Sequence, residues 1–399
     1  LIIAGHAFDR WMIRCMAAAG VKDMTPTDVL VLHHVNHRGT EKRTAQELEE
    51  RLAFLRTLQR VLKEGDFTAT YKFALLQALL DIAVESRIRS DAELPVTHRQ
   101  LAERFVEYYW GHTEPYRPGA ESGGILAQST GQQAAALRLI SAARSQSGVR
   151  TLAQLRRDSQ YPGLLSRIAK VIREQPVRYI QNLNGGRIEF LFAPAPDGKG
   201  IVLKRGVAWC LQEFYDLLQS QVRAGWVEQV RSISRNALLI GGHKDLEEFL
   251  FGQQRMALVR IRERLVDLEG PTCFYCEKTI PHAIEVDHFV PWSRYPHDRG
   301  HNFVLAHAAC NHSKRDTLAS RDHLARWLAR IDDKAVPISD ALSDVLVCDV
   351  GSSRKVAQWA YLHEIHAAGV FWAGVAGRSP VYQPLDDAMR SLVVSGFPL

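Results

Sequence analysis

The chain has 399 residues, 46% hydrophobic and 24% charged, proportions of folded globular proteins that exclude wholesale disorder and fibrous repeats and predict two or three domains. Its net charge of +6 favours a polyanionic partner without identifying one. No run of about 18 apolar residues occurs, since Gln77 and Asp81 interrupt Phe73–Val84, and Asp9 and Arg10 come too early for a secretory leader, so the expected compartment is the cytoplasm.

Residues 1–52 read as a helical segment, with Thr25-Pro26-Thr27-Asp28 starting a helix over Val29–Val35 and another helix over Thr44–Leu52. The stretch TPTDVLVLHHVNHRG followed by TAQEL resembles the middle of MarR-type winged-helix regulators, but no recognition helix and wing follow Leu52, so the segment reads as a truncated or fused remnant of that fold or as an unrelated helical cap. Residues 53–110 are expected to form a helical bundle from FLRTLQRVLKEGDF, YKFALLQALLDIAVES and, with a break at Pro95, LPVTHRQLAERFVEYYW. Gly111–Thr130, rich in Gly, Pro and Ser, reads as a linker.

Residues 131–268 read as a helical region with one β-hairpin, its strands at Arg187–Phe192 and Gly200–Lys204. Between Arg138 and Arg205, thirteen Lys or Arg face four acids, a local excess of +9 that leaves the rest of the chain at −3. This basic middle is the expected nucleic-acid clamp. Arg156 and Arg157 are its named contacts, and replacing both with alanine is expected to flatten the salt dependence of binding by about one or two counterions. Residues 269–332 form a compact unit ending in a helix over Ser320–Ile331. Residues 333–399 read as a C-terminal helical extension with a helix near Lys355–Ala367 and a loop-rich end broken by Pro380, Pro384 and Pro398.

Three of the six cysteines, Cys15, Cys210 and Cys348, stand alone among apolar neighbours and read as core residues. The other three join a histidine: Cys273 and Cys276 as CxxC, then His307 and Cys310 as HxxC. Zinc prefers four tetrahedral S or N ligands, and a two-residue gap lets both members of a pair reach one ion, so this Cys3His set predicts a structural zinc.

Between the two pairs, Ala283–His288 reads as a strand, Phe289–His301 as a loop and Asn302–Leu305 as the returning strand, with a helix from about His307. At 100° per residue, His307, Cys310, Asn311 and Lys314 fall within an arc of about 100°, and His312 falls well off it. Asn311 rather than His312 is therefore the expected helix-borne residue of a site facing the hairpin. Neighbouring strand residues point to opposite faces, so Asp287 and His288 share that site only if the strand ends or bulges at His288, which Pro291 favours.

Asp287-His288, Asn302 and Cys310-Asn311-x-x-Lys314 resemble the DH, N and CNxxK elements of HNH (ββα-metal) endonucleases, zinc-knuckle subgroup, over about 45 residues. That subgroup usually has CxxC as its second knuckle, where this chain has His307 in the first position. YKFALLQALLDIAVES is also similar to the N-terminal part of large bacterial proteins carrying an HNH domain. With the helical patterns upstream, this predicts a mainly α protein with a short β-hairpin in its middle, ending in a ββα-metal domain with a structural zinc knuckle; the resemblance implies phosphodiester hydrolysis of nucleic acid, with double-stranded DNA the expected substrate. It implies His288 as general base, its tautomer fixed by a carbonyl near Asn302, and Asp287 with Asn311 holding catalytic Mg²⁺ or Mn²⁺. Asn302 would brace the loop, and Arg294 and Lys314 would contact phosphate. The alternative is a non-catalytic zinc-containing DNA-binding or regulatory module, which would have no use for Asp287, His288 and Asn311.

Overall fold

The computed structural model describes residues 45–64, 68–86, 92–116, 123–183, 186–241, 245–252, 255–367, 369–377 and 379–397. The winged-helix-like stretch up to position 44, including Cys15, lies outside the described residues. Among the described residues the protein is mainly helical, with short antiparallel strand pairs. No helix among them is long and apolar enough to cross a membrane.

Helix α1 (Ala45–Glu64) runs without interruption through position 52, burying Leu52, Leu55, Leu58 and Val61 at helical spacing. Helix α2 (Tyr71–Val84) is buried along all of its 14 residues, as expected for a segment apolar on every side. Strand β1 (Leu94–Thr97) leads into α3 (His98–His112), whose start is fixed by a reciprocal capping box between Thr97 and Gln100. Then come α4 (Ala135–Ser147), α5 (Leu152–Arg157) and α6 (Tyr161–Glu174), the last burying Tyr161, Leu164, Leu165, Ile168 and Ile172.

Strands β2 (Phe192–Pro194) and β3 (Gly200–Leu203) form the expected hairpin, but β2 begins where the sequence pattern ends it. Gly186–Arg187 pairs instead with Asn182–Leu183, and the Gln181 side-chain oxygen accepts the backbone N–H groups of Leu191 and Phe192 at 2.9 and 3.3 Å. β3 is the central strand, pairing with β2 and with β1, so the second and third sequence blocks share one sheet. Helices α7 (Val207–Glu213) and α8 (Tyr215–Ser232) pack on α2, followed by α9 (Leu246–Phe251) and α10 (Arg255–Glu269).

Strands β4 (Ile284–His288) and β5 (Phe303–His307) pair antiparallel and run into α11 (Ala308–Lys314), a strand–strand–helix unit. After α12 (Arg321–Leu342) and α13 (Val350–His366), the end expected to be loop-rich is instead a hairpin, β6 (Val370–Ala376) with β7 (Ser379–Pro384), and a helix, α14 (Asp387–Ser395). Pro380 and Pro384 are tolerated because β7 is an exposed edge strand pairing only with β6.

A continuous apolar core and a buried polar network join the helical unit to the strand–strand–helix unit. Asp81 on α2 accepts from Tyr215 at 2.7 Å and Tyr108 at 2.5 Å and lies 2.8 Å from His297 Nε2. Glu107 on α3 pairs with Arg299 at 2.8 Å, Arg104 at 3.0 Å and Arg156 at 3.4 Å, while Glu85 pairs with Arg104 and with Arg299 at 3.1 Å and accepts from Tyr295. Burial works to raise the pKa of Asp81, but His297, Arg104 and the Tyr108 hydroxyl outweigh it and bring the carboxyl down to about 2. Burial likewise opposes ionisation of Glu107, and Arg299, Arg104 and Arg156 overcome it. The two polar residues that interrupt the apolar run of α2 thus have a use: Gln77 donates to Asp81 at 2.9 Å, and Asp81 anchors the network.

Candidate active site and metal centre

Cys273, Cys276, His307 and Cys310 converge, with their ligand atoms all within 4.8 Å of one another. That spacing suits one tetrahedral ion with ligands at about 2.0–2.3 Å, and three sulfurs with one imidazole are a thiophilic donor set. The first knuckle is a tight turn in which Glu277 N–H donates to the Cys273 carbonyl at 2.9 Å and Cys273 N–H to Lys278 at 3.0 Å. Phe274 N–H bonds Leu305 at 2.8 Å and ties this turn to β5. His307 is the extended residue preceding α11 rather than part of the helix, because it ends β5 as it caps α11. Its Nε2 faces the Thr279 carbonyl at 3.3 Å, which puts the proton there and leaves Nδ1, 3.3 Å from Cys276 Sγ, as the ligand atom. The Cys273 and Cys310 thiols lie close enough to share a proton, which lowers the pKa of Cys273 and raises that of Cys310.

Strand β4 ends at His288 without a bulge, in register with β5 as Asp287↔Val304 and His288↔Phe303. Because the strand stops there, Asp287 and His288 border one open cleft of about 540 Å³ together with Trp292, Asn311 and His312. His312 therefore reaches the cleft despite its helical-wheel position; its Nε2 lies 3.7 Å from Glu285.

Each side chain of the cleft is held by identifiable neighbours. Asp287 Oδ2 accepts from the Tyr275 hydroxyl at 2.5 Å and pairs with Lys314 Nζ at 3.0 Å. Burial and the adjacent Asp287 carboxylate push the Tyr275 pKa well up, so it stays a donor. The Asn311 amide donates to Glu285 at 2.8 Å, an arrangement that leaves its oxygen as the donor atom for a hard cation. The His288 ring packs between Trp292 and Phe303, with centroids at 5.3 and 4.4 Å. Its Nε2 lies 2.8 Å from Asp298 Oδ1, so a loop carboxylate fixes the tautomer rather than the carbonyl expected near Asn302. Asn302 closes the loop by a reciprocal pair with Val290, donating to its carbonyl at 2.9 Å and accepting its N–H at 2.8 Å.

A family model described as HNH endonuclease covers this segment. Residues 273–320 match the HNH endonuclease family. A second model, described as a domain of unknown function (DUF8808), matches residues 51–243, which takes in α1 to α8 and the β1–β3–β2 sheet. No curated protein and no solved structure matches the chain.

Of the cations expected to meet phosphate, the HNH region turns two inward. Lys314 is fully buried, with Nζ on Asp287 and on the His288 carbonyl at 2.9 Å, so it braces the site. Arg294 pairs with Glu364 on α13 at 2.6 Å. In the helical unit Arg156 pairs with Glu107, and Arg157 donates to Ser343. These partners are remote in sequence, and a local charge count does not see them. Three residues of the site escaped the sequence reading. Glu285 was within reach of it, since i, i+2 spacing on a strand puts it on the face of Asp287. Asp298, in an aperiodic loop, and Tyr275, between the zinc-type cysteines, gave no signal of their own.

Proposed function

We propose that the chain is a metal-dependent endonuclease that hydrolyses phosphodiester bonds in DNA, with a structural zinc in the Cys3His site. The observation that carries this reading is the cleft itself: Asp287, His288 and Asn311 sit side by side on a strand–strand–helix unit in a segment that matches HNH endonucleases. A zinc-bearing module without catalysis has no use for that trio.

In this reading His288 takes the proton of the attacking water, and Asp298 holds the imidazole in the tautomer whose lone pair is on Nδ1. Asp287 and the Asn311 oxygen would hold a hard divalent cation, Mg²⁺ or Mn²⁺, and their oxygen donor set fits such an ion. When bound, that ion supplies positive charge against the charge developing on the phosphate. Lys314 and Tyr275 fix Asp287 from behind, and Asn302 keeps the loop closed so that His288 stays beside it.

The test is cation-dependent nicking of supercoiled plasmid by the zinc-loaded chain, with a folded RNA in parallel. Nicking that starts on adding Mg²⁺ or Mn²⁺ supports the proposal. RNA cleavage alone would move the substrate, and cleavage of neither polymer with either ion would overturn the reading.

A further inference from the structure

A cavity of about 740 Å³ lies between the helical unit and the loop that carries Asp298, within the size range of ligand pockets. It adjoins the catalytic cleft, because Trp292 lines both and Asp298, the partner of His288, stands in its wall. Its lining includes rings that are only half-buried, among them Tyr108, Phe249 and Trp292. It also includes Arg150, Arg223 and Arg260.

The four acids of the wall are already engaged: Glu107 with three arginines, Glu114 with Arg144 at 2.6 Å, Asp298 with His288, and Glu248, which also has a partner. None of the three cavity arginines has an ion-pair partner among the described residues. Arg223 is the telling one. Its guanidinium lies 4.9 Å from the Phe251 ring centroid, and its buried Nε has no hydrogen-bond partner. Burial lowers its pKa, the mark of a charge withdrawn from water with too little local compensation. A guanidinium short of compensation beside aromatic rings suits a ligand that carries both an anionic group and a flat ring.

The geometry points to this cavity as the seat of one unstacked nucleotide of the substrate strand, next to the scissile phosphate, with Arg223 on its phosphate and the half-buried rings on its base. The inference rests on the nuclease reading and adds the substrate class: nucleic acid that is single-stranded or unpaired beside the cut. A fully paired duplex must first open there, so single strands and mismatched bubbles are cut faster than duplex.

Binding separates this inference from catalysis. Zinc-loaded His288→Ala protein, without Mg²⁺, is titrated into a fluorescein-labelled single-stranded oligodeoxynucleotide and followed by anisotropy. The strand binds, Arg223→Met in the same background weakens it by about tenfold or more, and Arg223→Lys recovers part of the loss, which a folding defect would not allow. Unchanged affinity in a folded, zinc-loaded Arg223→Met protein overturns the cavity assignment, as does absence of strand binding by the parent. Displacement of the strand by equimolar deoxythymidine monophosphate would instead assign the cavity to a free nucleotide. Plasmid nicking by the unmodified chain is scored separately. Nicking with an Arg223-independent affinity removes only the cavity, whereas Arg223-dependent binding without cleavage of any substrate removes only the nuclease.

Discussion

Asp298 holds His288 Nε2 at 2.8 Å, and the residues on either side of Asp298 are tied to the helical unit, His297 lying 2.8 Å from Asp81 and Arg299 ion-paired to Glu107 and Glu85. The orientation of the proposed base is thus tied, through one loop, to helices that lie some 200 residues earlier in the chain. Asp298→Asn is expected to lower kcat about 10–100-fold with little change in KM, by analogy with outer partners that orient a functional histidine. Asp298→Glu should restore part of it. A KM effect alone, measured by steady-state cleavage, would place Asp298 in substrate binding instead.

Arg299 is almost fully buried between two carboxylates. Arg299→Met leaves Glu85 and Glu107 short of a partner, and losing one member of a buried ion pair costs about 3–5 kcal/mol. A large fall in the urea unfolding midpoint is expected. A shift under a tenth of that cost would mean the network contributes nothing net to stability.

Acid should weaken the fold in two stages. His112 is buried and, mainly for that reason, lowered from 6.5 to about 4 although it bonds the Leu250 carbonyl. It stays neutral in the fold while the unfolded chain takes up a proton, so its contribution is complete above about pH 6.5 and is lost as pH falls toward 4. Asp81, at about 2 against an ordinary 3.8, contributes fully above about 3.8 and ceases to as pH falls through 2. The melting temperature of the intact chain should fall in both windows, and His112→Gln should flatten the upper one. Superimposable profiles would contradict the assignment to His112.

The Cys3His convergence, the strand–loop–strand–helix order and the nearness of Asp287, His288 and Asn311 were legible because short spacings and period-two alternation report local geometry. Contacts across the fold were not. Lys314 reads as a free cation until Asp287 is seen against it, and Arg294 and Arg156 until Glu364 and Glu107 are. The β6–β7 hairpin was hidden by prolines that only an edge strand accepts.

The basic middle keeps exposed cations that the network does not use. Arg167, Lys170 and Arg173 lie exposed on α6, opposite its buried face. Replacing all three with Gln should flatten the salt slope of nucleic-acid binding by about two or three, near 0.9 per phosphate contact. An unchanged slope would remove α6 from the interface.

On the proposed function, the Cys3His ion and the cleavage ion should part under chelation, because a thiolate-held ion supports folding while a cleavage ion exchanges freely. Mild chelator should stop cleavage while zinc content and circular dichroism hold, and Cys273→Ser should lose zinc and fold together. Simultaneous loss of cleavage and fold at every chelator dose would contradict a two-site protein.

In the proposed reaction His288 activates water in the Asp287–Asn311 cleft. The measurement that reaches it most directly compares the intact chain and His288→Ala, both folded and zinc-loaded, on the substrate the intact chain cuts, with Mg²⁺ or Mn²⁺. A loss of about 10²–10⁴-fold is expected in the variant. Equal cleavage by the two proteins would contradict it.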